Sequence, residues 1–290
     1  MILNETYKMN NGLEIPKIAL GTWMIDDDKV AESVRQAVKI GYRHIDTAQG
    51  YENERGVGEG IRTCGVPREK IFVNSKVAAE NKSYSSAKAS IDESLKKMGL
   101  DYIDMMIIHS PQPWVEVNRS ENRYFKENKE VWRAMEDAVR EGKVKTIGVS
   151  NFLKEDIETI LSDCKIRPAV NQVLSHISNT PFELIDYCKE KNILMEAYSP
   201  IAHGEILQNE EVINIAKKYG VTVAQICIKY DLQLGMVVLP KTDNPDHMKS
   251  NAQLDFVISE GDMDILKKIK LIDYGKSGVY PIFGGLWSWD

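Results

Sequence analysis

The sequence is poor in the residues that build disulfide scaffolds and metal sites. Its four cysteines, Cys64, Cys164, Cys188 and Cys227, are widely separated and form no CxxC pair. Only five histidines are present, and none stands beside a cysteine at a spacing typical of metal ligands. This pattern argues against a disulfide framework and against a metal site, and predicts reduced thiols in a cytoplasmic protein.

Long apolar runs and blocks of like charge are also missing. No stretch approaches the roughly 20 apolar residues of a membrane-spanning helix. Lysine and arginine together number 37 against 43 aspartates and glutamates, which gives a net charge of -6, and the two signs are mixed along the chain. The N-terminus MILNETYKMNNG is too short and polar for a secretory signal. We therefore expect neither nucleic acid nor a membrane as a partner.

The chain does contain a regular alternation of short apolar runs and amphipathic helical patterns. The apolar runs are KIALGT, YRHID, IFVNSKV, YIDMMIIH, VKTIGVSN, PAVNQV, ILMEAYSP and MVVLP. Nearly continuous apolar strands are typical of a parallel sheet covered by helices. Eight such units predict one (β/α)8 barrel domain over residues 1–290, since this fold needs about 250 residues. A dinucleotide-binding open sheet is disfavoured, because LGTW has one glycine after the first strand.

Three segments depart from the repeat. YKMNNGLEIP carries Asn-Asn-Gly between short extended pieces, which predicts an N-terminal β-hairpin. SPQPWVEVNRSENRYFKEN is a long polar loop after the fourth strand, and the tail from about Leu271 to Asp290 is rich in glycine and aromatic residues. Long loops in compact domains are often lids or binding loops. We therefore expect the C-terminal tail to act as a substrate loop.

Four ionisable side chains lie at or just past the ends of three successive predicted strands: Asp46, Tyr51, Lys76 and His109. Strand C-terminal ends converge at the mouth of such a barrel. A lysine ammonium beside a phenol favours the phenolate and lowers its pKa, and a carboxylate can pair with the lysine. A neutral histidine can hydrogen-bond a carbonyl oxygen. The set can therefore polarise a carbonyl and protonate its oxygen, but reduction requires a hydride cofactor.

Each of the four has an ordinary alternative explanation, such as a helix cap, packing, a salt bridge or a core histidine. Their motifs, however, resemble those of the aldo-keto reductase family. GYRHIDTAQGYENE is similar to the first family signature, VNSKV to the strand with the catalytic lysine, and IIHSP to the strand with the histidine. IGVSNF, AVNQV, EAYSPIA and VVLPKTDNP follow in the family's order, so the resemblance extends from about residue 13 to about residue 256.

The resemblance implies that the four residues form a catalytic tetrad and that the hairpin plugs the bottom of the barrel. It also implies cofactor contacts. Ser150, Asn151 and Gln172 would hydrogen-bond the nicotinamide carboxamide, and Tyr198 would stack on the ring. The other expected cofactor residues are Gly21, Thr22, Ser199, Lys241, Thr242, His247 and Asn251. Strand-end capping or ordinary packing remains the alternative for these positions.

The segment LPKTDNPDHMKSN departs from the family pattern. Lys241 and Thr242 keep two groups that hold the adenosine 2′-phosphate in NADPH-preferring relatives, but His247 stands where an arginine is usual. Imidazole is mostly neutral at pH 7 and cannot form a bidentate fork to phosphate. We therefore expect NADP(H) as cofactor with measurable use of NAD(H). The alternative is that His247 is an ordinary surface residue.

The resemblance places Trp23 in the substrate pocket beside His109, and Trp114 and Trp287 are candidates to join it from the two long segments. The expected activity is NAD(P)H-dependent reduction of aldehydes or ketones to alcohols, with hydride from the nicotinamide and a proton from Tyr51. The alternative is a cofactor-binding redox sensor or regulatory subunit with slow turnover. We expect a monomer with a small carbonyl substrate, whose identity the sequence does not reveal.

Overall fold

All eight predicted strands are present in the computed structural model, which describes residues 1–286. A two-stranded hairpin precedes them. The strands are β1 Thr6–Lys8, β2 Glu14–Pro16, β3 Leu20–Gly21, β4 His44–Asp46, β5 Phe72–Val77, β6 Ile103–Ile108, β7 Val144–Ser150, β8 Val170–Leu174, β9 Leu194–Tyr198 and β10 Val237–Leu239.

The helices lie between the barrel strands and after the last of them. They are α1 Asp27–Ile40, α2 Glu54–Thr63, α3 Tyr84–Met98, α4 Phe125–Arg140, α5 Lys154–Leu161, α6 Phe182–Glu190, α7 Glu210–Tyr219, α8 Val223–Gln233, α9 Pro245–Asn251 and α10 Glu260–Leu266. Short 3₁₀ turns occupy Ile2–Asn4, Gln49–Tyr51, Arg68–Lys70, Ala202–Gln208, Gly275–Val279 and Pro281–Phe283. None of the helices within residues 1–286 is long and apolar enough to cross a membrane.

The sheet is parallel and runs in chain order from β3 to β10. Bonds between the first and last strands bring its two edges together: Ala19 N donates to Val238 O at 3.0 Å, and Gly21 N donates to Pro240 O at 3.1 Å. The predicted (β/α)8 barrel is therefore confirmed. The helical apolar positions Val30, Val34 and Val38 of α1 are buried, as the spacing predicts.

The N-terminal hairpin closes the bottom of the barrel. β1 and β2 pair antiparallel, with Tyr7 opposite Ile15. Asn10 Nδ2 donates to Pro168 O at 2.7 Å and to Asn192 O at 3.1 Å, and Asn11 Nδ2 donates to Thr146 Oγ1 at 2.7 Å. These acceptors lie in or before β7, β8 and β9, so the hairpin turn caps the N-terminal ends of three strands.

Glycines allow α2 to pack closely against its two neighbours. A Cβ at Gly56 would lie 2.1 Å from Asp27 O of α1, and a Cβ at Gly58 would lie 2.1 Å from Met98 O of α3. Neither distance is sterically possible for a larger residue without movement of a backbone. Since α2 begins three residues after Tyr51, this packing helps to place the turn that carries Tyr51.

The two long segments meet at the top of the barrel. Asn118 Nδ2, in the loop after β6, donates to Pro281 O of the tail at 2.8 Å. The polar loop predicted after β6 is shorter than expected, because α4 already begins at Phe125. Tyr124 before it is in the left-handed conformation and has no periodic pattern to reveal the helix start. The tail is built from 3₁₀ turns, and Tyr274 Oη anchors it to His176 Nε2 at 2.9 Å.

Candidate active site

A cavity of about 530 Å³ opens at the C-terminal ends of the barrel strands. Asp46, Tyr51 and His109 line it, together with residues of the loop after β9 and of the tail. Within residues 1–286, no group of three or more His, Cys, Asp or Glu side chains could hold a metal ion.

Lys76 is the centre of the ionisable cluster. Its ammonium donates to Asp46 Oδ2 at 2.7 Å, to Thr47 O at 2.8 Å and to Tyr51 Oη at 3.2 Å. The side chains of Lys76 and Asp46 are only 1% and 5% exposed, so solvent does not screen their pairing. The structure thus brings the carboxylate, the ammonium and the phenol into direct contact.

His109 completes the cluster across the cavity floor. Its ring centroid lies 5.6 Å from that of Tyr51, with an interplanar angle of 73°. Its Nδ1 is buried and has no hydrogen-bond partner in the described part of the chain. Burial, followed by the positive charge of Lys76, holds the pKa of His109 well below its ordinary value. The imidazole is therefore neutral at pH 7 and has a nitrogen available to a ligand.

The pKa of Tyr51 is raised, although we expected Lys76 to lower it. Burial raises the pKa of Tyr51, and this effect outweighs the opposing charge of Lys76. Burial also acts to lower the pKa of Lys76, but the charges and hydrogen bonds of Asp46 and Tyr51 together outweigh it, and the pKa is raised. At neutral pH the phenol is therefore protonated and can donate, beside a lysine that keeps its charge.

A network of side chains holds the turn that carries Tyr51. Gln49 Oε1 accepts from Ala78 N at 2.8 Å, and Gln49 Nε2 donates to Ser94 Oγ at 3.0 Å. Asn53 Nδ2 donates to Thr22 O and to Ile25 O, at 2.9 Å each. These bonds connect the turn to β5, α3 and the loop after β3, so the phenol is held from three sides.

Most of the predicted cofactor residues converge on the same cavity. Those in its lining are Gly21, Ser150, Asn151, Gln172, Tyr198, Ser199 and Lys241. Asn151 adopts a positive φ of 60°. Its Oδ1 accepts from Tyr198 Oη at 2.7 Å, while its Nδ2 donates to His109 O at 2.9 Å. This part of the wall is thus connected to the histidine of the tetrad.

The remaining predicted cofactor residues lie outside the cavity lining. Thr22 is buried, and its hydroxyl donates to Asp46 O at 2.9 Å. Thr242 Oγ1 accepts from Asn244 N at 3.1 Å before α9, which contains an exposed His247 and a buried Asn251. His247 is therefore exposed to solvent and lies outside the cavity lining.

Three of the four predicted substrate residues, Trp23, His109 and Trp114, line the cavity, and one lies outside the described residues. The Trp23 ring is 6.5 Å from that of Tyr51, and the Trp114 ring is 5.1 Å from that of His109. Trp287 falls beyond residue 286. The tail reaches the cavity through Tyr280, whose ring is 5.3 Å from Trp23. Sequence reasoning missed Tyr280 because the tail has no periodic pattern to single out one aromatic residue.

Other lining residues that the sequence did not reveal are Glu52, Glu80 and His203. Beneath the lining, Glu196 of β9 is fully buried. Its Oε2 accepts from Gln172 Nε2 at 3.1 Å, and the same nitrogen donates to Asp46 Oδ1 at 3.0 Å. A carboxylate within an apolar strand, as in ILMEAYSP, is a signal that could have identified Glu196.

The chain is similar to known proteins along most of its length. The Aldo/keto reductase family model matches residues 17–271. Glyoxal reductase of Bacillus subtilis (strain 168) is 42% identical over 264 residues, which are 90% of this chain and 91% of the relative. Aldehyde reductase YPR1 of Saccharomyces cerevisiae is 36% identical over 311 residues, 97% of each chain.

Solved structures of aldo-keto reductases are also similar to this chain along most of its length. An aldo/keto reductase from Brucella melitensis has a TM-score of 0.86 at 36% identity, with 92% of this chain and 98% of that chain covered. The Bombyx mori aldo-keto reductase AKR2E4, solved in complex with NADP, has a TM-score of 0.81 at 31% identity, with 96% and 98% covered.

Proposed function

Because the chain belongs to the aldo-keto reductase family and is therefore an oxidoreductase, we propose that it reduces aldehydes or ketones to alcohols with NADPH, using Tyr51 as the acid. One observation carries the proposal. A single buried ammonium, that of Lys76, contacts both the Asp46 carboxylate at 2.7 Å and the Tyr51 hydroxyl at 3.2 Å, beside a neutral His109. This is a proton donor with a fixed charge environment at the floor of a cavity.

Each residue of the tetrad has a separate role in the reduction. His109 orients the carbonyl oxygen with a ring nitrogen, and Tyr51 donates its phenolic proton as that oxygen becomes an alkoxide. Lys76 stabilises the phenolate that remains, and Asp46 keeps the lysine from being an unpaired buried cation. The nicotinamide, when bound, supplies hydride to the carbonyl carbon.

The cavity wall has groups that fit a nicotinamide. Gln172 uses its nitrogen for Asp46 and Glu196, so its carbonyl oxygen remains to accept from a carboxamide. The buried, unpartnered Nδ1 of His109 is a second polar atom that a ligand can satisfy. Ser150 and Asn151 would bind the carboxamide beside Gln172, and Tyr198 would cover the ring.

The adenosine end of the nucleotide would reach Lys241 and Thr242. Lys241 is exposed and lines the cavity next to Gly21, with which it forms a parallel bridge. It supplies a point charge for a 2′-phosphate, whereas His247 lacks the planar charged fork of arginine. We expect NADPH to bind more tightly than NADH, but with a modest ratio, so that NADH also supports turnover.

Substitution of Tyr51 tests the reaction. Tyr51→Phe should lower kcat/KM for aldehydes by about 10²–10⁴-fold, the range of general acid catalysis. The dissociation constant for NADPH, followed by nucleotide fluorescence, should barely change. Tyr102→Phe is a matched control, because Tyr102 precedes β6 at the other end of the barrel.

Two results would contradict the proposal. Near-normal turnover in Tyr51→Phe would remove this residue from the reaction. Tight NADPH binding by the unaltered protein without turnover across a varied aldehyde panel would instead favour a cofactor-binding sensor.

For the nucleotide, His247→Arg should lower the dissociation constant of NADPH selectively by about tenfold, as a charge-assisted hydrogen bond would. Equal effects on NADH would show that position 247 does not face the 2′-phosphate.

A further inference from the structure

The cavity above the tetrad combines aromatic rings with carboxylates. Trp23, Trp114 and Tyr280 line it together with Glu52 and Glu80. Trp23 stands next to Tyr51 and Trp114 next to His109, at the ring distances given above. The rings and acids therefore surround the space into which a substrate held by the tetrad would extend.

Neither of these two carboxylates has a salt-bridge partner within residues 1–286. No ion pair joins Glu52 or Glu80 to a lysine, arginine or histidine of the described chain. Glu80 Oε1 accepts only a neutral donor, Trp114 N, at 3.2 Å. Lys82, two residues further along, feels the charge of Glu80 without pairing with it. Its hydrogen bonds go to Ser110 O at 3.1 Å and to Asn128 Oδ1 at 3.0 Å. Both side chains are exposed and line the cavity.

The positive charge in the lining lies elsewhere. Lys241 lies next to Gly21, where the proposed function assigns it to the nucleotide phosphate. Lys76 is already paired with Asp46. A bound dinucleotide adds further negative charge through its phosphates. The lining of the substrate chamber therefore has more negative than positive charge around its aromatic rings.

We propose that this chamber selects carbonyl substrates that carry a positive charge, aminoaldehydes as a class, over uncharged carbonyls of the same shape, with anionic oxo-acids least favoured. The proposal rests on the proposed function, since the tetrad holds the carbonyl end. Ring faces attract an ammonium group through their quadrupole, and the two carboxylates attract it through charge. The same groups repel a substrate carboxylate. Glu52 and Glu80 are thus specificity residues.

An isosteric pair of aldehydes tests the proposal. Trimethylammonioacetaldehyde and 3,3-dimethylbutanal have the same shape and differ by one nitrogen and its charge, and succinate semialdehyde supplies the anion. The measurement is kcat/KM for each aldehyde with NADPH, in the unaltered protein, in Glu52→Gln, in Glu80→Gln and in the double variant. Ratios between variants cancel the different intrinsic reactivity and hydration of the aldehydes.

The expected result is a change in preference, not a general loss. In the double variant, the ratio of the ammonium aldehyde to dimethylbutanal should fall by about three- to tenfold, the size expected for two exposed charge contacts. The ratio of succinate semialdehyde to dimethylbutanal should rise. The preference of the unaltered protein should weaken as ionic strength increases, because exposed charges are screened.

A matched control separates local from general charge effects. Glu69→Gln removes one exposed carboxylate before β5, at the opposite end of the barrel. It should leave all three ratios unchanged. Ratios in the double variant equal to those of the unaltered protein would overturn the proposal, and so would an equal shift caused by Glu69→Gln. Absence of turnover with every aldehyde would instead overturn the proposed function, so the two failures are distinguishable.

Discussion

Two buried carboxyl groups of the barrel interior, Asp46 and Glu196, differ in their hydrogen-bond partners. On one side, Asp46 of β4 accepts from Lys76 at 2.7 Å and from Asn74 at 2.6 Å. On the other side, Glu196 of β9 accepts only from Gln172, and its Oε1 has no partner among residues 1–286. Burial, followed by the negative charge of Asp46, raises the pKa of Glu196 to about 8.

The difference shows what decides the state of a buried acid in this barrel. Both carboxyl groups receive the same Gln172 nitrogen, so that hydrogen bond does not distinguish them. The distinguishing group is the ammonium of Lys76, which contacts Asp46 but has no hydrogen bond to Glu196. One acid is therefore paired with an ammonium in the tetrad, and the other is a neutral neighbour at pH 7.

Lys76→Met should have the largest effect on stability and activity, because it leaves Asp46 without a cation. Removal of one partner of a buried ion pair typically costs about 3–5 kcal/mol of unfolding free energy. The value of kcat/KM should also fall by about 10²-fold or more. Chemical denaturation measures the first effect, and NADPH oxidation the second.

Lys70→Met is the control for this substitution, since Lys70 is exposed in the turn before β5. It should change neither quantity. If Lys76→Met keeps its full stability at pH 7, the ammonium is not what holds the charge of Asp46.

Gln172→Met should have an intermediate effect, because it removes the nitrogen that both acids share. Asp46 keeps Lys76 and Asn74, whereas Glu196 loses its only side-chain partner in the described chain. A buried group left without its hydrogen bond costs about 1–3 kcal/mol. Affinity for the nucleotide should also fall, since Gln172 is proposed to bind the carboxamide. Denaturation and fluorescence titration measure the two effects.

Gln36→Met on the outer face of α1 provides the matched comparison for that variant, because the Gln36 bond is to a surface carboxylate, Glu32. It should alter stability little. Unchanged stability in Gln172→Met would mean that the shared nitrogen contributes nothing to either acid.

Glu196→Gln should change the pH dependence of stability, with little effect in acid, where the carboxyl group is neutral in both states. The pKa of Glu196 rises from an ordinary 4.5 to about 8 on folding, so between these values the folded chain binds one proton more than the unfolded chain. The stability due to this group is complete below about pH 4.5 and is lost as the pH rises through 8. Its slope is at most about 1.4 kcal/mol per pH unit.

The glutamine variant has no such titration, so its stability curve should be flatter over this range and should lie above that of the unaltered protein near pH 8. Thermal unfolding at several pH values gives both curves. Parallel curves would indicate that Glu196 is ionised in the folded state and that another cation compensates it.

The barrel was predictable because its signals are local and repeated. Each strand is a short apolar run, each helix has a helical apolar spacing, and the hairpin has its own turn signal in Asn10, Asn11 and Gly12. The four residues of the tetrad were predictable as neighbours, since strands of a barrel end at one mouth. Their contact through Lys76 follows from that topology.

What could not be predicted depends on distances between remote parts of the chain. The net rise in the Tyr51 pKa requires knowing how completely the phenol is buried, which no motif states. The positions of Glu52, Glu80 and Tyr280 around the cavity depend on how the loops and the tail fold over the barrel. Thr242 and His247 lie outside the lining because the chain turns away into α9 after Lys241.

The hairpin under the barrel has a consequence for the order in which the protein is made. Asn10 is synthesised well before its acceptors in Pro168 and Asn192, which follow 158 and 182 residues later. The nascent hairpin therefore leaves the ribosome long before the strand ends that it will cover. Barrel closure is thus a late event in biosynthesis, and the hairpin stays accessible to chaperones until then.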